Sequence, residues 1–198
     1  MTETILKMQK KVKRYLDKDR YDHTIGVMHT AGCLAMRYGA NLEQALTAGL
    51  LHDCAKCVPS DEKIKLCKKN GISISEAEYE NPGLLHAKLG ALFAREKYGV
   101  KKEEILRSIE SHTTGRPNMS LLDKIIYIAD FIEPGRDIAP NLPDVRALAF
   151  VDLDACLSRI LEDTLAYLKQ RGVAVDPATE ETYLYYKNLK TNDSEKEE

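Results

Sequence analysis

The sequence predicts an all-α bundle, on three observations. Apolar residues recur at helical spacing along most of the 198-residue chain. Alternating runs rich in valine and threonine, the mark of strands, are few. Helix-capping residues and glycine or proline stops divide the periodic segments at regular intervals. Apolar residues make up 43%, enough for one sizeable core.

The first helix, over about 4–18, carries Ile5, Leu6, Met8, Val12 and Leu16 on or near one face. A second, about 22–38, stops at Gly39, and Asn41 caps a third over about 41–56. Shorter periodic segments follow at about 60–69, 82–98 and 102–113. Ser120, with Asp123 three residues later, resembles a capping box and opens a helix over about 120–132. The stretch EPGRDIAPNLPD holds three of the seven prolines and ends that helix firmly. A long segment of about 144–170, broken near Val151, and a last helix of about 177–189 complete the chain. No repeat or long linker is visible, so residues 1–190 read as one domain, and TNDSEKEE, 191–198, as a disordered polar tail.

Composition excludes several function classes. The net charge is −2, with no basic excess to neutralise phosphates, so no nucleic-acid partner is expected. No run of 18 apolar residues exists, so no membrane span is expected, and the N-terminus lacks a signal-peptide pattern. Five cysteines without an export signal fit reduced thiols in a cytoplasmic protein. Cys54 and Cys57 form a C-x-x-C, but no second pair exists to complete a zinc site, and no βαβ pattern supports a redox motif. The exposed apolar residues of TYLYYKNL leave packing on the core or on a second copy, as a homodimer, both open.

The chemistry lies in LLHDCAK, Leu50–Lys56, where a histidine and an aspartate follow two leucines. A carboxylate in a packed apolar setting needs a cation, a lysine or a metal ion. Four of the five histidines share that kind of setting: His23 on an amphipathic helix, His52 beside Asp53, His86 in GLLHAKLGALFA, and His112 ending SIESH. Asp130 interrupts IIYIADFI, the most apolar run in the chain. Taken singly, each has an ordinary structural reading, Asp130 as a partner of Lys124 for example. As a set spread over successive helices they suit a bundle metal site for iron, manganese, zinc or cobalt. Adjacent His52 and Asp53 point about 100° apart on a helix, so one ion accepts both or Asp53 bridges to a second. Lys56, a turn after His52, is placed to meet an anionic substrate. Arg20 and Arg136 are similarly suited to clamp phosphates. His29 lies about 240° round the helix from His23 and reads as structural.

The ordered series His23, His52-Asp53, His86, His112 and Asp130 resembles that of the HD-domain metal-dependent phosphohydrolases. RYDHTIGV, LLHDCAK, NPGLLHAKLGA and ESHTTGRPNMSLLDKIIYIADFIEPGR narrow the resemblance to the bacterial YqeK family. The resemblance covers about residues 10–175 and implies a single HD-domain helical bundle. It implies symmetrical hydrolysis of diadenosine tetraphosphate, a dinucleoside polyphosphate, to two ADP by a metal-bound hydroxide. By the same resemblance His23, His52, Asp53 and Asp130 match the metal set, with iron, one or two ions, implied and manganese or cobalt acceptable. His86 and His112 match a pair that holds a second metal or contacts phosphate. Lys56 matches the lysine of H-D-x-x-K, and Asp53 and Lys56 take the catalytic roles. Arg20, Thr113 and Arg136 match positions facing nucleotide phosphates, and the resemblance places the loop Arg171–Pro177, with Gly172 and Asp176, near the nucleotide. Asp53, or a further carboxylate such as Asp123, is suited to take a proton from water, although Asp123 fits a capping role equally.

Rival readings keep the same ligand set. They are hydrolysis of a guanosine polyphosphate, a deoxynucleotide or a nucleoside monophosphate, a nucleotide sensor without turnover, and a diiron oxygenase. No G-x-x-x-x-G-K loop and no covalent nucleophile with its own base is present.

Overall fold

In the computed structural model, residues 1–139, 141–172 and 175–194 are described, with side chains as far as residue 189. The elements are α1 (Glu3–Val12), α2 (Lys18–Tyr38), α3 (Leu42–Leu51), α4 (Ser60–Lys69) and α5 (Glu76–Glu80). A 3-10 turn, Pro82–Leu85, leads into α6 (His86–Tyr98), followed by α7 (Glu103–Glu110) and α8 (Leu121–Ile132). The chain closes with α9 (Leu142–Ala149), α10 (Leu153–Gln170) and α11 (Pro177–Ser194). No strand occurs among the described residues, and no described helix is long and apolar enough to cross a membrane.

Local chemistry explains most boundaries. Gly39 adopts the left-handed conformation (φ 71°) that ends α2, and the Asn41 side chain accepts the amide of Gln44 to start α3. Ser120 and Asp123 form a reciprocal capping box at the start of α8. Three expected boundaries shift. The first helix ends at Val12 rather than near 18, because Asp17 caps α2 by accepting the amide of Arg20 at 2.8 Å. The expected 82–98 helix divides at His86, and α5 has its own capping box at Ser75. Helix α11 continues to Ser194, past the expected start of the tail at 191, while 195–198 lie outside the described residues.

A fourth shift matters for function. Helix α3 stops at Leu51, not near 56. The amides of Cys54, Lys56 and Val58 bond three residues back, to Leu51, Asp53 and Ala55, so 52–58 is a tight turn. Lys56 therefore does not share a helix face with His52 as the i, i+4 spacing predicts. The turn carries it instead to Asp53, whose Oδ1 lies 3.8 Å from its Nζ.

The core gathers Met28 of α2, Leu50 and Leu51 of α3, Leu89 of α6, Ile109 of α7 and Ile125, Ile126 and Ile128 of α8, all fully buried. Helix α2 packs on α3 and α8, α7 lies between α6 and α8, and α10 packs on α8, α9 and α11. A Cβ at Gly49 would come within 2.9 Å of the Met28 Cα, so α3 approaches α2 backbone to backbone. That contact brings the end of α3 beside the start of α2, where the polar residues converge.

Candidate metal centre

Five segments meet at one end of the core. Helix α2 supplies Arg20 and His23, and the turn after α3 supplies His52, Asp53 and Lys56. The first residue of α6 is His86, the turn after α7 carries His112 and Thr113, and the last turn of α8 carries Asp130. His52, Asp53, His86 and His112 are almost wholly buried.

Hydrogen bonds fix the ring tautomers. The Nδ1 of His52, His86 and His112 lie 2.7, 2.6 and 2.7 Å from the carbonyl oxygens of Gly49, Gly83 and Ile109. A carbonyl only accepts, so each Nδ1 carries the proton and each Nε2 presents a lone pair to the centre. His23 directs Nδ1 to the Glu133 carboxylate at 3.0 Å, which likewise frees its Nε2.

Asp53 stands between two groups of these acceptors. Its Oδ2 lies 3.5 Å from His52 Nε2 and 3.9 Å from His23 Nε2. Asp130 Oδ1 adds to this side, 3.1 Å from His23 Nε2 and 3.9 Å from His52 Nε2. On the other side, Asp53 Oδ1 lies 3.1 Å from His86 Nε2 and 3.6 Å from His112 Nε2, and those two nitrogens are 3.1 Å apart. Buried His23 Nε2, His52 Nε2 and Asp53 Oδ1 have no hydrogen-bond partner. Acceptors crowded this way repel one another unless a cation sits among them. Donors each about 2.1 Å from a shared ion stand about 3.0–3.4 Å apart, close to the spacing here. His23, His52 and Asp130 fit such an ion, and so do His52, Asp53 and His112. The donor set, imidazole and carboxylate without thiolate, suits a first-row divalent metal.

Electrostatics keeps the ligands in metal-binding form. Burial works against the Asp53 carboxylate, but the imidazoles around it, led by His52, hold its pKa well below the usual range. Burial likewise opposes ionisation of Asp130, and His23, His52 and Arg136 overcome it. Burial pushes the His86 pKa down to about 4, so its ring is neutral near pH 7.

The cations sit at the rim. Arg20 donates to Asp53 Oδ2 at 2.8 Å and Arg136 to Asp130 Oδ1 at 2.8 Å. Lys56 Nζ lies 3.2 Å from His86 Nε2, and the Thr113 hydroxyl 3.2 Å from His112 Nε2. The side chains of Arg20, Lys56 and Arg136 are 31%, 35% and 43% exposed, so they line an opening rather than a sealed core.

Other candidates lie elsewhere. Asp176 accepts from the Ser75 hydroxyl and the Ala178 amide at the start of α11, and Gly172 is exposed with φ 61°. Val173 and Ala174 of the same loop lie outside the described residues. Asp123 is spent on its capping box and on Arg116, so it is not part of the cluster. Lys124 pairs with Asp154, leaving Asp130 to Arg136. His29 is exposed on α2 rather than packed. Cys54 donates to the Gly90 carbonyl and burial pushes its thiol up to about 12, while Cys57 contacts Asp17. Neither thiol is a nucleophile in this setting. Glu133 escapes a sequence reading, because a glutamate before Pro-Gly looks like a solvated helix end; its one signal is a place in the FIEPGR stretch.

Comparison with known proteins agrees with this geometry. Residues 20–135 match the HD domain family model. The symmetrical bis(5'-nucleosyl)-tetraphosphatase of Halalkalibacterium halodurans is 42% identical over 172 residues, 87% of this chain and 91% of that protein. The enzyme of the same name from Bacillus subtilis is 41% identical over the same shares. A solved Clostridium acetobutylicum protein, described as a predicted HD superfamily hydrolase involved in NAD metabolism, superposes with a TM-score of 0.89 at 39% identity. That alignment covers 92% of this chain and 96% of the other.

Proposed function

Because the chain belongs to the HD-domain family of metal-dependent hydrolases, we propose that it is a symmetrical bis(5'-nucleosyl)-tetraphosphatase that cleaves diadenosine tetraphosphate into two ADP. The observation that carries this is the convergence of unpartnered imidazole and carboxylate atoms on one point, ringed by Arg20, Lys56 and Arg136. An orphaned acceptor cluster calls for a metal, and a rim of three cations calls for a polyanion. The relatives' shared name supplies the substrate.

His23, His52, Asp53 and Asp130 hold the first ion in this reading; iron is the metal that the family resemblance implies, and manganese or cobalt suits the same oxygen and nitrogen donors. His86 and His112, converging on Asp53 Oδ1, are placed for a second. A divalent ion bound there would supply an acidified water and polarise the phosphoryl oxygens. The chain's own residues do the rest. With only the first ion bound, Asp53 Oδ1, which has no hydrogen-bond partner, is placed to receive a proton from the attacking water. Lys56 Nζ is placed to meet the charge that builds on the bridging phosphates. Arg20 and Arg136 each engage a ligand carboxylate through one arm and retain further N–H donors for the outer phosphates. Thr113, at the mouth, is placed to donate to the same chain of phosphates.

The test is turnover of diadenosine tetraphosphate by protein reconstituted with iron(II), manganese(II) or cobalt(II), with products separated by chromatography. ADP as sole product is expected. AMP plus ATP would mean asymmetric cleavage. No turnover, with activity on a guanosine polyphosphate or a nucleoside monophosphate instead, would move the reading to that substrate. Metal analysis of the active protein gives one or two ions per chain.

A further inference from the structure

We infer that Glu133 is a positioning residue for the metal: it holds His23 in the one tautomer and orientation that aims its Nε2 at the ion. The inference rests on reading the cluster as a metal centre. Glu133 follows α8 directly and is 3% exposed. Its Oε1 receives the His23 Nδ1 proton at 3.0 Å, and its Oε2 accepts the Gly135 amide at 2.6 Å. Among the described residues His23 is the only cation-capable side chain within ion-pair distance of this carboxylate. A buried carboxylate tied to a single imidazole is costly as packing alone, but it is the usual partner of a metal-bound histidine, fixing the ring and raising its basicity.

The three other ring histidines are fixed by backbone carbonyls within their own turns. His23 alone depends on a side chain 110 residues away. The surroundings are shaped to hold that side chain still. A Cβ at Gly26, three residues after His23 on α2, would collide with Glu133 Oε2. Arg146 of α9 donates to the carbonyls of Ile132, Glu133 and Arg136, pinning the loop from outside. The same loop thus delivers Glu133 to His23 and Arg136 to Asp130, two ligands of one ion.

Manganese(II) affinity, measured by competition with a chelator of known affinity, tests the idea without reference to substrate. Glu133→Gln, which keeps an acceptor but loses the charge, is expected to weaken binding by about 10-fold, and Glu133→Ala by about 100-fold. Gly26→Ala changes neither a ligand residue nor Glu133 itself but pushes the Glu133 carboxylate off its position, and is expected to weaken binding by about 10-fold as well. Melting of the chelated variants separates the effect from lost stability, since a merely structural glutamate would lower the melting point and leave manganese affinity alone. If Glu133→Ala does not fold, the other two variants decide. Affinities of both within about twofold of wild type would overturn the role given to Glu133. Wild-type protein that binds no manganese would overturn the metal reading itself, and this inference with it.

Discussion

At the scale of single residues, the roles divide by whether a side chain offers a lone pair or a charge. Lys56 is the clearest case of the second kind, since its Nζ reaches His86 Nε2 and Asp53 Oδ1 yet stays partly exposed. Lys56→Met keeps most of the stem and removes the charge. The expected result is a loss of about 10²–10³-fold in kcat for diadenosine tetraphosphate, with manganese affinity unchanged, read from steady-state rates and chelator competition. An unchanged kcat would shift the charge-stabilising role to Arg20 and Arg136. The histidines and aspartates of the cluster stand out in the sequence because polar residues inside apolar runs demand partners, and the fold does bring all six together. Glu133 does not stand out, because nothing in local sequence distinguishes a glutamate aimed inward from one at a solvated helix end. Its direction is set by a contact with a helix 110 residues earlier.

At the scale of elements, the helices are legible where a capping residue marks them. Gly39, Asn41 and the Ser120–Asp123 pair do this for α2, α3 and α8, and the long C-terminal segment breaks into α9 and α10 on either side of Phe150–Asp152. The end of α3 is not legible, because Leu50–Lys56 contains no glycine or proline to stop it. Bonds from the amides of Cys54, Lys56 and Val58 to the carbonyls three residues back tighten the chain there, and this winding turns both Asp53 and Lys56 toward the cluster. The close approach of α3 to α2 at Gly49 sets how far His52 and Asp53 stand from His23. Gly49→Ala forces a methyl group against the Met28 backbone, which cannot move aside as a flexible side chain would. The expected outcome is a destabilisation of about 1–3 kcal/mol, seen as a lower urea midpoint at unchanged slope. Manganese affinity is expected to fall with it, because His23 rides on one of the two helices that are pushed apart and His52 and Asp53 follow the other. A variant as stable as wild type would mean that α2 and α3 separate without strain.

At the scale of the whole molecule, the ligand set ties together residues from His23 to Asp130, so binding a metal and holding the fold are one equilibrium. Metal at about 100 times its Kd adds about 2.7 kcal/mol to stability, which for a domain of this size raises the melting point by roughly 5–11 °C. Calorimetry before and after chelation measures that gap, and the same melting point in both states would mean that no ion binds the folded chain. The chelated protein carries a second signature. Burial holds the His86 pKa down at about 4, against 6.5 for the free side chain. Between those two values the unfolded chain binds the proton that the folded one refuses, so stability rises with pH across that window and is lost as pH falls through it. The shift sets an upper limit on the order of 3 kcal/mol to this loss. Asp53 and Asp130, whose pKa values are lowered in the fold, act in the same direction but only in more acidic solution. Urea titrations of chelated protein at intervals from pH 7 to pH 4 follow the loss, and His86→Gln is expected to flatten it. A wild-type midpoint that stays level down to pH 4 would show that the apoprotein accommodates a charged His86, and that the packing around this ring relaxes once the metal is gone.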